Sequence, residues 1–254
     1  MHERAEKETK AERAAGAGGD ALFELDGVRF SYPDGMIGVE IESLRIYRGL
    51  CTILLGANGS GKSTLLKMLD GLLFPSRGDI RAFGEPLDAG RLDRRDYQRS
   101  FRSRVGFVFQ DADIQCFSPT VREELSFGPI QLGLEADEIE ERVQGALEML
   151  RIEPLEDRYP YRLSGGEKKR VAIASVLTVD PEVYLLDEPT ANLDPSTEGI
   201  LIDLLASFLD QDKTLVIATQ DLLLARHLGD RVVILGPDRR LAAEGEIEDL
   251  LEKR

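Results

Sequence analysis

A short apolar run, Cys51–Leu55, feeds straight into Gly56-Ala57-Asn58-Gly59-Ser60-Gly61-Lys62-Ser63-Thr64. Lys62–Leu72 then carries Leu65, Leu66, Met68 and Leu69 at helical spacing. Strand, glycine loop and helix in that order form the context that turns a pattern match into a site. The glycines let successive backbone N–H groups turn inward around phosphates, and the helix that starts there adds its positive dipole end. Lys62 is placed to reach the β- and γ-phosphates as a point charge, and the Ser63 hydroxyl to hold Mg²⁺. Alone, the loop says only that the chain binds a nucleotide.

The rest of the chain repeats the alternation. Ala21–Phe30 and Val39–Ile46 alternate apolar and polar residues as half-buried strands do, with Tyr32-Pro33-Asp34-Gly35 as the turn between them. Val105–Phe109 reads as a buried strand ending at Gln110, and from Asp111 to Thr178 turns and helices take over. Within that stretch Ala136–Leu150 sets Ile139, Val143, Leu147 and Leu150 on one face, opposite an acidic one. Strands follow at Val183–Asp187, Thr214–Ala218 and Arg231–Leu235. Helices are expected near Ser196–Leu209, over Leu222–Leu228 and near Ile247–Glu252. Strands alternating with helices imply a largely parallel sheet covered on both faces. The pattern predicts one domain over residues 21–254, with a helical insertion over about 111–178.

The chain has 254 residues and a formal net charge of −15, an acidic balance that argues against a broad nucleic-acid surface. No apolar run approaches the roughly 18–20 residues of a spanning helix, so any membrane role is peripheral. Cys51 and Cys116 are too few for a disulfide framework or a cysteine zinc site. Met1–Asp20 is charged and rich in Ala and Gly, without the apolar core of a secretory signal. The tail is expected to be disordered and the chain to stay in the cytoplasm.

Two further segments carry chemistry. Leu185-Leu186-Asp187-Glu188 delivers two carboxylates at the end of a buried strand: Asp187 to position Mg²⁺, Glu188 to polarise an attacking water as general base. Leu163-Ser164-Gly165-Gly166-Glu167 precedes a helix over Lys168–Leu177, so open backbone N–H groups and the Ser164 hydroxyl form an anion site at a helix N-terminus. The subunit does not need this second phosphate surface for its own nucleotide, so it is read as clamping the γ-phosphate held by a partner. Ala191-Asn192-Leu193-Asp194 is expected to line the same interface.

In this order, from Leu22 to Gly245, these motifs resemble the ABC transporter ATPases. The segment from Gln110 through Phe117-Ser118-Pro119-Thr120-Val121 to Phe127-Gly128-Pro129 resembles that of energy-coupling-factor importers. LSGGEKKRVAIASVL (163–177) and DEPTANLDP (187–195) resemble their cobalt/nickel branch. The resemblance implies a P-loop NTPase fold of the ABC ATPase type: a RecA-like, mostly parallel sheet with an antiparallel β subdomain and an inserted α-helical subdomain. It implies an ATP hydrolase requiring Mg²⁺, in which Tyr32 stacks on adenine and Gln110 offers its amide oxygen to Mg²⁺ and senses the γ-phosphate. It also implies a second ABC ATPase subunit (like or unlike), an integral membrane coupling subunit docked around Asp111–Pro129, and a substrate-binding membrane subunit. The chain would then sit on the cytoplasmic face of the cell membrane. Cys116 is read as packing rather than as a metal ligand.

One position departs from the family. Where its members usually carry a histidine that orients the catalytic water, Thr219-Gln220-Asp221 places Gln220. Of the two histidines, His2 and His227, the second lies about 10 Å further along a helix and is read as a surface residue. Glutamine donates and accepts hydrogen bonds but carries no charge near neutral pH, so ATP binding with slow hydrolysis is expected. The alternatives are an ATP-binding regulatory subunit with weak hydrolysis and a soluble nucleotide-switched clamp. The second usually carries coiled-coil insertions, zinc modules or tandem ATPase domains, and this chain has none of these.

Overall fold

The computed structural model describes residues 20–251; the expected tail, up to residue 19 and including His2, lies outside them. Strands β1 (Ala21–Ser31) and β2 (Ile37–Tyr47) form an antiparallel ribbon joined by the Tyr32 turn. Strand β3 (Cys51–Leu55) runs through the glycine loop into helix α1 (Lys62–Leu69). Strands β4 (Arg77–Ala82) and β5 (Glu85–Pro86) and helices α2 (Ala89–Leu92) and α3 (Arg95–Arg104) lead to β6 (Val105–Val108). Helices follow: α4 (Ala112–Gln115), α5 (Val121–Leu132), α6 (Ala136–Met149) and α7 (Gly165–Leu177). The chain then alternates β7 (Val183–Asp187), α8 (Pro195–Leu209), β8 (Thr214–Thr219), α9 (Leu222–Leu228) and β9 (Arg231–Leu235) before β10 (Leu241–Glu246) and α10 (Ile247–Leu251).

Among the described residues the strands form two sheets. One is antiparallel, in the order β2-β1-β4-β5. The other has the order β10-β9-β3-β8-β7-β6, with β9 to β6 all parallel and β10 antiparallel at one edge. Residues of β3, β7 and β8 are apolar or Thr and are buried without interruption up to the terminal Asp187, so their period of two shows only in where each side chain goes. Cys51, Ile53, Leu186, Leu215 and Ile217 enter a core closed by Leu125, Val143, Val171, Leu205 and Leu224 of helices α5 to α9. Leu54, Val183, Leu185, Val216 and Ala218 enter the opposite core, closed by α1 and by Phe23, Leu25 and Ile41 of the antiparallel sheet.

Strands β4, β5 and β10 and helices α2 and α3 have no counterpart in the sequence reading. In β4 only Ile80 and Ala82 are buried, and β10 is an edge strand of Leu, Ala, Gly and Glu, so neither carries the β-branched alternation that marks a strand. Helix α3 is nearly all polar, with Phe101 its one buried residue. A further correction concerns α7, expected from Lys168. It starts at Gly165, because Ser164 and Glu167 close a reciprocal capping box one turn earlier.

Helix α7 lies directly on β6. A Cβ built on Gly106 would stand 2.4 Å from Val176 Cγ1 and 2.9 Å from Pro181 Cγ, so only glycine admits this approach. We expect Gly106→Ala to cost about 1–3 kcal/mol, as overpacked cores do, and to lower Tm by roughly 2–10 °C for a chain of this size. Thermal unfolding followed by circular dichroism checks this; an unchanged Tm would show that the contact gives way freely.

Candidate nucleotide site

The glycine loop, Gln110, Glu188 and Gln220 all follow the carboxyl ends of adjacent parallel strands, where α/β sheets place their ligands. One cavity at this edge is lined by Tyr32, Asn58, Gly59, Gly61, Lys62, Ser63, Thr64, Gln110, Asp187 and Glu188, together with Met36, Gly38 and Arg239. Gly56, Ala57 and Ser60 complete the loop. Gly61 caps α1 at φ 101°, and a Cβ there would meet the Gly38 carbonyl at 2.5 Å, so this turn requires glycine. Tyr32 is fixed by its hydroxyl, 2.8 Å from Thr64 Oγ1, and by an edge-to-face contact with Phe30.

Lys62 is 6 % exposed and donates to the carbonyls of Gly56 (2.8 Å) and Ala57 (3.4 Å). Its ammonium stands 4.0 Å from Glu188 Oε1. Glu188 itself sits at φ 46°, a left-handed backbone costing an L-residue on the order of 1–2 kcal/mol. It is held there by its N–H on the Ala218 carbonyl (2.9 Å) and by Thr219 Oγ1, which donates to Oε2 at 3.4 Å. Gln220 Nε2 donates to Asn58 Oδ1 at 2.8 Å and to Glu188 Oε1 at 3.4 Å. The neutral amide thus joins the loop to the carboxylate, while His227 stands exposed on α9.

Asp187 is 3 % exposed, and its Oδ1 is buried without a hydrogen-bond partner. Burial pushes the carboxyl up from its ordinary range; the Ser63 hydroxyl and then Lys169, Lys67 and Lys62 oppose that shift. An orphaned carboxylate oxygen beside a serine hydroxyl, with the Gln110 amide on the same cavity, is a donor set that fits a hard, oxygen-seeking cation. Among the described residues no three His, Cys, Asp or Glu side chains form a cage for a metal. That fits Mg²⁺, which takes one or two carboxylates and leaves its other positions to water and phosphate.

Ser164, Gly165, Gly166 and Asp194 line no part of this cavity. The Ser164 hydroxyl donates to Glu167 Oε2 at 2.7 Å, so it serves the capping box of α7. Asp194 caps α8, accepting from the N–H groups of Ser196 and Thr197 and from Thr197 Oγ1 at 2.6 Å. The loop carrying Asp194 does come near α7, with the Asn192 carbonyl 3.9 Å from a Cβ built on Gly166. Cys116 packs against the first core, and burial, then Glu124, pushes its thiol up to about 12.

Two residues absent from the sequence reading tie α7 to this edge. Gln115 accepts from Phe109 N–H at 3.0 Å and donates to the Ala172 carbonyl at 2.7 Å. Lys169 is 3 % exposed and donates to the carbonyls of Phe109 (2.9 Å), Gln110 (3.2 Å) and Asp187 (3.5 Å). The signal for Lys169 was in the helix: it shares the stripe of Ala172, Ile173 and Val176, so a lysine was due to be buried.

Burial pulls Lys169 from the ordinary 10.5 down to about 8, against the attraction of Asp187, Glu188 and Asp111. Between those two values the unfolded chain binds more protons than the folded one, so stability rises with pH there, by up to about 1.4 kcal/mol per pH unit. Lys169→Met lacks this slope and leaves three carbonyls without their donor. In urea titrations from about pH 7.5 to 10, the wild type should gain on the variant as pH rises; parallel profiles would show that folding leaves the Lys169 pKa where it is in the unfolded chain.

A family model described as ABC transporter matches residues 39–191. The nickel import ATP-binding protein NikO of Rhodobacter capsulatus is 47% identical over 91% of this chain and 91% of its own length. The energy-coupling factor transporter ATP-binding protein EcfA of Methanothermobacter thermautotrophicus is 42% identical over 88% of this chain and 70% of its own. Among solved structures, cbiO1 of Clostridium perfringens, part of the ABC transporter complex cbiONQ, superposes with a TM-score of 0.78 at 36% identity over 92% of each chain. With its phosphate loop, paired carboxylates and capped signature helix placed on this fold, the chain belongs to the ABC transporter family and is one of its ATP-binding subunits.

Proposed function

We propose that the chain is the ATP-hydrolysing motor of an importer of the energy-coupling-factor type, with nickel or cobalt as the solute its membrane partners carry. The observation that carries this reading is a division of labour. The ends of β3, β6, β7 and β8 gather one face of a nucleotide site, with the loop, the cation ligands and the general base, while Ser164, Gly165 and Gly166 offer a phosphate site that this cavity does not use. A second ATPase subunit, like or unlike, supplies the missing face and receives the same in return.

Within the cavity, Tyr32 takes the adenine and the N–H groups of 56–64 take the phosphates. Lys62 exchanges the carbonyls of Gly56 and Ala57 for phosphate oxygens. Ser63, Gln110 and Asp187 hold Mg²⁺, which when bound neutralises charge on the phosphates. Glu188 accepts the proton of the attacking water as general base. Gln220 orients that carboxylate from Asn58 but brings no charge to the γ-phosphate. That neutrality favours slow turnover, and it is what supports the second reading, a regulatory subunit whose paired ATPase hydrolyses faster.

The helical segment at about 111–178 is the membrane-facing part in this reading. Among the described residues no helix is long and apolar enough to cross a membrane. Instead Ile114, Phe117, Phe127 and Ile130 stand exposed, with Phe117 and Phe127 edge to face at 4.9 Å. Glu124, 3 % exposed, fixes this surface by accepting from the N–H groups of Phe117 (2.9 Å) and Ser118 (2.7 Å). An apolar patch so held suits a membrane subunit at the cytoplasmic face.

Phosphate release and nucleotide binding test the motor. Glu188→Gln should lose about 10²–10⁴-fold in turnover while ATP still binds. Gln220→His should speed turnover several-fold; no rise would show that a charge at this position is not what limits the rate. Affinity purification of the tagged chain from its host in mild detergent tests the transporter. Small multi-spanning membrane proteins should co-elute with the wild type and be depleted for Phe117→Ser. Recovery of soluble proteins or ribosomes alone would overturn transport.

A further inference from the structure

Three residues that line the cavity, Met36, Gly38 and Arg239, have no task in the motifs or the mechanism, and Arg239 is the charged one among them. Arg239 lies 180 residues from the glycine loop, in the turn between β9 and β10, yet its Nε donates to the Gly59 carbonyl at 3.1 Å. Its Nη1 donates to the carbonyl of Ile37, the first residue of β2. Ile37 directly follows the turn that carries Tyr32, which is closed by Tyr32 N–H on Met36 O (2.8 Å) and Gly35 N–H on Tyr32 O (2.9 Å). One guanidinium therefore bridges the segment that takes the phosphates and the segment that takes the base.

We propose that Arg239 is a positioning residue of the nucleotide site, a strut that fixes the phosphate loop against the Tyr32 turn and so sets the span a nucleotide must fit. The proposal rests on the nucleotide reading of the cavity. The mounting of the residue supports it. Arg239 stands at φ 64°, a left-handed conformation that an arginine adopts only where its surroundings dictate it. Its N–H bonds to the Gly236 carbonyl at 2.9 Å, and its own carbonyl accepts from Glu40 N–H at 2.9 Å, which anchors the turn to β2. The next residue, Arg240, grips the Glu40 carboxylate through Nη2 at 2.8 Å. The base of the strut is thus tied to β2 and its tip to the loop.

The residue type follows from the acceptors. Both are backbone carbonyls on separate segments, and a planar guanidinium holds two such oxygens in a set geometry, whereas an ammonium on a flexible stem does not. Gly59 stands at φ 81° with open space where a Cβ would be, so no side chain of its own braces this point of the loop. Without the strut, the loop and the Tyr32 turn would each keep their local geometry but lose their fixed relation. A nucleotide would then have to order them on binding.

The test is equilibrium binding of ATP and of ADP to the purified full chain, with unfolding followed in parallel. Arg239→Gly removes the strut while relaxing the left-handed backbone, so Tm should stay within about 2 °C of wild type or rise. Having to order the loop against the Tyr32 turn on binding should weaken both ATP and ADP by about tenfold. Arg239→Lys, which keeps the charge but not the fork, should recover less than half of that loss. Binding by Arg239→Gly within twofold of wild type would overturn the strut, as would full recovery by Arg239→Lys, which would make the residue a charge alone. Weakened binding that only tracks a fall in Tm would also overturn it. A wild type that bound neither nucleotide would instead overturn the nucleotide reading itself.

Discussion

A parallel ladder cannot be closed by hairpins, so every strand must be delivered by a crossover, and successive loops accumulate at the same edge. In this chain the ladder β9-β3-β8-β7-β6 does this with strands covered on both faces. Leu55 stands opposite Thr219, and Ala218 opposite Asp187. A slip of one residue would send every side chain of a strand into the wrong core, so double burial sets this register to the residue. Lys62 follows β3, Glu188 follows β7 and Gln220 follows β8. Their distances from one another are therefore consequences of how Ile53, Leu186 and Ile217 fill one core and Leu54, Leu185 and Val216 the other.

What the edge gathers is charge with little water. Lys62 and Lys169 are nearly inaccessible, as is Asp187, and Glu188 is held close by. Each lysine spends its protons on backbone carbonyls, Lys62 on the glycine loop and Lys169 on the ends of β6 and β7. For Lys62 these carbonyls hold the ammonium in place with little water around it. Preorganisation of this kind is where electrostatic sites gain most over water. The same logic makes Gln220 informative. It completes the geometry between Asn58 and Glu188 but leaves the count of positive groups unchanged.

The sequence made legible what burial and backbone chemistry jointly demand. Cys51–Leu55 and Val183–Asp187 could only be double-covered strands, and the loop between Gly56 and Thr64 could only be held open by its glycines. It did not make legible the elements whose reasons lie elsewhere in the fold. β4 and β10 are strands because a neighbour pairs with them, not because Arg77-Gly78-Asp79 or Glu244-Gly245-Glu246 favours extension. The site splits the same way. Motif residues were found because their chemistry is local. Lys169, Gln115 and Arg239 were missed because each has a partner far along the chain, 57 residues away for Gln115, 60 for Lys169 and 202 for Arg239, and only the topology brings them together.

Those long-range ties also explain how one cavity can matter to a distant surface. Helix α7 begins at Gly165 and Gly166, and three contacts fasten it to β6 and the residues that follow the strand. Val176 lies against Gly106, Gln115 joins the Phe109 N–H to the Ala172 carbonyl, and Lys169 grips Phe109, Gln110 and Asp187. The Gln110 carbonyl is therefore held by a buried ammonium of α7, a helix packed along most of its inner face. On the far side of Gln115 the chain passes directly to Phe117, whose N–H is held by Glu124 of α5. Packed elements thus link the residues beside Gln110 both to the helix that begins at Gly165 and to the exposed aromatic pair of Phe117 and Phe127. The same few hydrogen bonds at the end of β6 therefore tie both surfaces to Gln110.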